Sequence, residues 1–260
     1  MDALSGSGSS YQIGYLNTDT KFAGVFTAAR ITKVGTGRLT LSATGHTSPV
    51  TVSDGVLELN NATSATMTTG LITVTGRGVL TGNALVSGVT VNDGGTVTGG
   101  INNNVGTLRL KGSMSLNKGA IVRCTLSATS NTKFTVQGNV KHAGDTILVV
   151  VPASRRLSVG DELEIFNVAG AHTGTFVVKV ESEGMGYEFD DSLLLTDGKL
   201  RVKAVTDGVD AVMAPDAVVD VFTLHGVRLY TQQPYGKIFP QLPRGTYIVT
   251  QGNRSQKIIK

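Results

Sequence analysis

Glu58, in Gly55-Val56-Leu57-Glu58-Leu59, is the only acid on a row that otherwise reads Thr40, Thr81, Thr98, Arg109 and Val122. Glycoside hydrolysis needs two carboxyl groups about 5–10 Å apart, so a lone carboxylate flanked by Thr40 and Thr81 points away from that chemistry. Asp54 and Asp93 stand beside glycines, where aspartate bonds its own backbone and favours a turn. Asp190-Asp191 with Glu188 is the densest acidic patch, but it lacks the spaced loop of a calcium site and reads as a solvated strand end. His46, His142, His172 and His225 have no partner at i+2 or i+4, so zinc finds no ligand pattern. No G-x-S-x-G elbow, complete G-x-G-x-x-G loop or Walker loop is present. Gly35-Thr36-Gly37 and Gly76-Arg77-Gly78 read as turn glycines. Cys124 is a single cysteine with no internal disulfide partner, and its apolar neighbours predict a buried small side chain. These residues predict a protein that is not an enzyme, with no cofactor and no metal.

The elements carrying those residues repeat. Six copies align on a glycine: Gly37-Arg38-Leu39-Thr40-Leu41, Gly55-Val56-Leu57-Glu58-Leu59, Gly78-Val79-Leu80-Thr81-Gly82, Gly95-Thr96-Val97-Thr98-Gly99, Gly106-Thr107-Leu108-Arg109-Leu110 and Gly119-Ala120-Ile121-Val122-Arg123. The third position is always Leu, Val or Ile and the fourth is mostly polar, as a half-buried strand requires. A unit this small cannot bury its own apolar face, so copies must stack. The expectation is an all-β fold: a right-handed parallel β-helix, or solenoid. Leu39, Leu57, Leu80, Val97, Leu108 and Ile121 would form one interior ladder in a rod of roughly 30 Å. Val52, Val74 and Val91, ahead of the glycines, are further core candidates.

Composition agrees with many short strands. The 260 residues include 33 Gly and 6 Pro and no Trp, and glycine supplies the turn conformations between β-branched runs. No helical periodicity lasts ten residues. The net charge of +4 is mild, its carriers are scattered, and no basic run interleaves with aromatics, which argues against nucleic-acid binding. No run approaches the roughly 18 apolar residues of a membrane span, and the polar start Met1–Ser10 does not read as a signal peptide. A repeat array beginning abruptly behind that Gly/Ser run predicts a fragment of a larger protein. Between residues 27 and 133 there is no Phe or Tyr, which removes the stacking platform that glycan binding commonly uses.

Four segments follow. Residues 1–10 are a flexible N-terminal stretch, and 11–140 hold the repeats. Residues 141–205, with the continuous apolar run Thr146–Val151, read as a β-rich cap on the open solenoid end, Thr146–Val151 being covered on both faces. After a hinge at Val205–Asp210, residues 206–260 form a small antiparallel β-sandwich.

Two resemblances arise from these residues. Ile31-Thr32-Lys33-Val34-Gly35-Thr36-Gly37-Arg38-Leu39-Thr40-Leu41-Ser42, Val52–Asn60, Val91–Val97 and Val105–Gly112 resemble the autotransporter-associated β-strand repeats of bacterial surface passengers, over about 40% of the chain. The outer-membrane barrel that often follows such passengers has no counterpart here. Val219-Asp220-Val221-Phe222-Thr223-Leu224-His225-Gly226-Val227-Arg228, Leu242-Pro243-Arg244-Gly245-Thr246-Tyr247-Ile248-Val249 and Lys257-Ile258-Ile259-Lys260 resemble the C-terminal sorting domain of the type IX secretion system of Bacteroidetes-type bacteria, in a short form without its proline-containing first strand.

The resemblances imply a secreted or cell-surface, non-enzymatic β-solenoid acting as passenger, stalk or adhesin-like spacer. Its C-terminal domain would be read by the secretion machinery through Gly226, Pro243, Gly245, Tyr247, Lys257 and Lys260. The alternative is the inert tail of a secreted carbohydrate-active enzyme whose catalytic domain lies upstream.

Overall fold

The computed structural model describes residues 9–63, 65–207, 215–251 and 254–260. The Gly/Ser start up to residue 8 and the hinge residues 208–210 lie outside the described residues. The chain divides into two compact units, Met1–Glu181 with Phe189–Lys203 and Ser182–Glu188 with Ala204–Lys260.

The strands run in chain order as β1 (Ser10–Ile13), β2 (Thr20–Phe22), β3 (Arg30–Lys33), β4 (Arg38–Leu41), β5 (Val50–Leu59), β6 (Thr66–Thr68), β7 (Ile72–Gly82) and β8 (Leu85–Val86). They continue as β9 (Val89–Val91), β10 (Thr96–Val97), β11 (Thr107–Leu110), β12 (Met114–Leu116), β13 (Ile121–Thr125), β14 (Lys133–Val136), β15 (Val140–Val151) and β16 (Glu162–Glu164). The remainder are β17 (Phe166–Val168), β18 (His172–Ser182), β19 (Met185–Asp190), the short helix α1 (Leu194–Asp197), β20 (Lys199–Asp207), β21 (Val218–Thr223), β22 (Arg228–Pro234), α2 (Tyr235–Ile238), β23 (Thr246–Gln251) and β24 (Arg254–Ile259).

In the first unit β7 and β15 are long enough to serve different neighbours at their two ends. Ile72–Val74 of β7 pairs with β9 and Val79–Leu80 with β10. Val140–His142 of β15 pairs with β12 and Thr146–Val150 with β13. With β9 joined to β12 and β10 to β13, six parallel strands close into a barrel-like ring, β7-β10-β13-β15-β12-β9 and back to β7. Strands β5, β3 and β1 extend from β7, β4 and β2 from β5, and β18 lies on β15. A separate five-stranded sheet runs β17-β14-β11-β8-β6, and a three-stranded one β16-β20-β19.

This closure corrects the expected right-handed β-helix solenoid. The single ladder is also corrected at two of its six places. Leu39, Leu57, Leu80 and Val97 are in register and buried, but the next partners are Val122 and Ile147. Ile121 is on the opposite, half-exposed face, opposite Thr96. Leu108 belongs to the five-stranded sheet, stacked on Phe134 and, beyond it, Phe166. The glycine-anchored repeat reports strand periodicity, which is local; it carries no information on which strands meet when long ones bend. The rod falls, and with it the elongated passenger, stalk or spacer built on it. The run Thr146–Val151 alternates buried and half-buried rather than being covered on both faces.

Val52, Val74 and Val91 are fully buried and in register, and they form the middle of a column that polar side chains close at both ends. Lys33 pairs with Val52 at one end, and Leu116 with His142 at the other. Buried charge must be hydrogen-bonded to be tolerated. Lys33, 1% exposed, uses all three ammonium protons on the carbonyls of Val34, Gly35 and Asp54, at 2.8, 2.7 and 3.1 Å. Burial holds its pKa below the usual lysine value, with Asp54 and Asp19 acting in the opposite direction. The adjacent turns stack through glycines: at Gly55 (φ 63°) a Cβ would lie 2.3 Å from the Gly35 carbonyl oxygen, and at Gly35 (φ 69°) 2.1 Å from that of Gly14. No other residue fits such an approach without shifting backbone.

Among the described residues from 215 on, the second unit forms a four-stranded antiparallel sheet, β22-β21-β23-β24. Its core is Val219, Val221, Tyr247, Val249 and Ile258, joined by Tyr235, Ile238 and Leu242. The last three come from α2 and the segment after it, so a short helical turn supplies the covering layer. The expected antiparallel sandwich is therefore corrected, among the described residues from 215 on, to a four-stranded sheet under a helical cover. Tyr235–Ile238 is only four residues long, too short to leave a helical period in the sequence.

Candidate functional site

The outward face of β4, β5, β7, β10 and β13 carries the row around Glu58. Thr40 and Thr81 flank Glu58 in register, as the sequence alignment implies. The segment between β10 and β11 then folds onto this face. Asn102 donates its backbone N–H to Glu58 Oε2 at 2.9 Å, and Thr81 Oγ1 donates to the Gly100 carbonyl at 2.7 Å. Arg38 reaches both sides: one guanidinium nitrogen pairs with Glu58, and Nη2 donates to Asn103 Oδ1 at 2.8 Å. Asn102 and Asn103 take φ of 51° and 62°, a left-handed conformation that asparagine tolerates better than most residues. Glu58 is 1% exposed, withdrawn from water by contacts up to 44 residues distant in sequence.

Two hollows adjoin this segment and share Arg38 and Asn103. One, of about 420 Å³, is lined by Thr81, Thr96, Thr98 and Thr125, with Arg123 at its side. The other, of about 370 Å³, is lined by Asp19, Thr20, Lys21 and Thr40. The larger hollow also has Val56, Val79 and Val150 in its wall and is more apolar than polar, whereas the smaller is lined by hydroxyl, amide and charged groups. The buried Glu58 carboxylate beside them is committed to Arg38, Asn102 and Thr40, and Asp19 accepts the Arg38 backbone N–H at 2.8 Å.

A second cluster was invisible to spacing rules because its two histidines are 30 residues apart. Asp145 Oδ2 lies 2.9 Å from His142 Nδ1, and His142 Nε2 lies 3.0 Å from His172 Nε2. His142 and Asp145 are buried. His172 lines a polar hollow of about 300 Å³ with Glu164, Asn167, Thr196 and Asp197. Burial, and then the neighbouring His142, hold the His172 pKa down at about 4. Among the described residues no three His, Cys, Asp or Glu side chains are grouped to hold a metal. Asp54 bonds the Gly55 backbone N–H at 2.9 Å, and Asp190 accepts from Ser192, which lowers its pKa.

The six sorting candidates sit in the second unit. Gly226 (φ 81°) turns the β21–β22 hairpin. Pro243, Gly245, Tyr247 and Lys260 come together at the chain end: Tyr247 Oη donates to the Pro243 carbonyl at 2.9 Å, and Gly245 and Lys260 exchange backbone hydrogen bonds of 3.1 and 2.8 Å. The Lys260 ammonium bonds the carbonyls of Phe239 and Pro240 and lies 5.3 Å from the Phe239 ring centroid. Lys257 is exposed on β24. Leu224, Val227 and Leu229, in and beside the same hairpin turn, are exposed.

No protein-family model matches the chain, and no curated protein matches it. With the closed ring of strands, this leaves the resemblances to autotransporter-associated repeats and to a type IX sorting domain without support. Among the described residues, no helix is long and apolar enough to cross a membrane.

Proposed function

We propose that the first unit is a non-enzymatic binding module for an extended, hydroxyl-rich polymer, a polysaccharide, lying along the outer face of β4 to β13. The observation that carries this is the pair of adjoining hollows sharing Arg38 and Asn103, which combine threonine hydroxyls, asparagine amides and a guanidinium already fixed by Glu58 with an apolar wall of Val56, Val79 and Val150 in the larger one. Such groups satisfy sugar hydroxyls by hydrogen bonding, and fixed donors lose little entropy on binding. Binding without turnover follows from Glu58 being committed to its neighbours rather than poised as one of two acids. The test is titration of the full chain against a panel of neutral and acidic polysaccharides, with an assay for newly released reducing ends. Saturable binding to at least one member, weakened about tenfold or more by Asn103→Ala and without release of ends, is expected. Absence of binding, or release of ends, refutes the reading.

A second reading concerns the other unit, whose β21–β22 hairpin exposes Leu224, Val227 and Leu229. An exposed apolar patch of this kind marks a surface that another protein can cover. We infer that this unit is read by secretion machinery and that the protein is secreted or held at the cell surface. Fractionation of a producing bacterium tests it: the full chain reaches the medium or surface, and Leu224→Ser/Val227→Ser/Leu229→Ser retains it inside. Equal distribution of the two overturns the reading.

A further inference from the structure

Asp145, His142 and His172 form a chain whose proton count its geometry restricts. The Asp145 carboxylate lies 3.0 and 2.9 Å from His142 Nδ1, which fixes the Nδ1–H tautomer. Nε2 of His142 then faces Nε2 of His172 at 3.0 Å, while the ring centroids are 5.2 Å apart. An imidazole nitrogen stands roughly 1.1 Å from its ring centre, so both nitrogens fall almost on the line between the centres. They point at each other. This is the arrangement of one linear N–H···N bond, and it leaves no room for an ion between them, since two zinc–nitrogen bonds on a line span about 4 Å.

One proton fits between these nitrogens and two do not. With both rings neutral, His172 Nε2–H donates to His142. With one added proton, a single N–H still lies between the two rings, donated by one and accepted by the other. A second added proton would place N–H against N–H.

Strand β18, which begins at His172, lies on β15, which carries His142 and Asp145. At Gly174 a Cβ would come within 1.8 Å of the His142 carbonyl oxygen, so the two backbones are in close contact beside the imidazole pair. We propose that Asp145–His142–His172 is a proton-operated latch, which holds the start of β18 against β15 while one proton is shared and releases it when acid charges both rings.

The groups around the latch are few. Phe166 of β17 and Phe176 of β18 pack on the His142 ring. Lys118, after β12, flanks Gly144. Glu164 of β16 and Asp197 of α1 line the same hollow as His172, and Glu164 is paired with Lys133. Burial, and then the neighbouring His142, keep His172 neutral until pH about 4, against an ordinary value near 6.5. A base whose pKa is lower when folded binds its proton more readily in the opened state. The latch is therefore at full strength above about pH 6.5 and weakens as pH falls from there towards 4, by at most about tenfold per pH unit.

The test is amide hydrogen exchange of the full chain between pH 7.5 and 4.5, corrected for the intrinsic rate, with β5 and β7 as internal reference. Protection of residues 172–182 in the wild type is expected to fall below pH 6.5 relative to that reference. His172→Gln keeps an N–H donor for His142 without a titrating ring, and should make the protection pH-independent. Constant wild-type protection, or an unchanged loss in His172→Gln, overturns the latch. Should that variant not fold, nitrogen NMR of the wild-type imidazoles decides: His172 remaining neutral at pH 5.5 supports the latch, and an ordinary midpoint near 6.5 refutes it.

Discussion

Arg38 and Glu58, on the neighbouring parallel strands β4 and β5, form an ion pair in which the carboxylate is 1% exposed and the guanidinium side chain 21%. The pair also anchors the segment that both hollows adjoin, through Asn102 and Asn103. Removing Arg38 leaves a buried carboxylate without its counter-ion. Arg38→Met is expected to destabilise the first unit by about 3 kcal/mol, and Arg38→Met with Glu58→Met by appreciably less. Urea unfolding of the two variants measures the difference, and equal losses would contradict the burial argument.

The register of β13 gives a sharper test of the core. Val122 is fully buried between Val97 and Ile147, whereas its neighbour Ile121 is half-exposed. Val122→Ala should cost about 2 kcal/mol and Ile121→Ala clearly less, although isoleucine is the larger residue. Thermal unfolding distinguishes them. The opposite order would restore Ile121 to the interior.

Lys33 ties three carbonyls in a place closed to water. Lys33→Met keeps the aliphatic stem and strips the donors, leaving those oxygens unpartnered at about 1–3 kcal/mol each before relaxation. A loss of about 3 kcal/mol in denaturant unfolding is expected. A neutral substitution would mean that the stem alone stabilises the column.

Cys124 is buried, and that burial pushes its thiol up to about 12. Only the thiolate reacts with alkylating agents, so at pH 8 the folded protein should resist iodoacetamide and be labelled quickly in denaturant, as mass spectrometry would show. The folded thiol holds its proton more tightly than the unfolded one. The stability this contributes is complete below pH 9 and is lost as pH rises towards 12.

Much of the local structure could be read along the chain. Glycines followed by alternating apolar residues locate the starts of β4, β10 and β11, whereas Gly55, Gly76 and Gly78, read as turn glycines, lie within β5 and β7; the alternation identifies Leu39, Leu57, Leu80 and Val97 as interior. The two failures in that column have one cause. Around Gly119 the alternation fits two phases, Ile121 or Val122 inward, and only pairing with Val97 and Ile147 selects between them. Leu108 has the same local pattern as the others but stacks on Phe134 in another sheet, a choice that no five-residue phrase contains.

The site residues divide in the same way. Glu58 with its threonine neighbours followed from the alignment, because parallel pairing maps equal repeat positions onto one another. The bond from Asn102 to Glu58 did not, since it depends on how an irregular segment folds back over the sheet. Spacing rules separated His142 from His172 because those rules describe ligands on one local element, whereas β15 and β18 meet through tertiary pairing.

By itself the sequence determined that the protein is β-rich, where several strands of the repeat lie, and which face of most of those avoids water. These follow from short-range chemistry: glycine at positive φ, β-branched side chains and period-two burial. Tertiary structure decided the closure of the strands, the Arg38–Glu58–Asn103 network and the Asp145–His142–His172 chain. Each depends on residues brought together from distant positions, where hydrogen bonding and desolvation act across space and leave no trace in neighbouring residues.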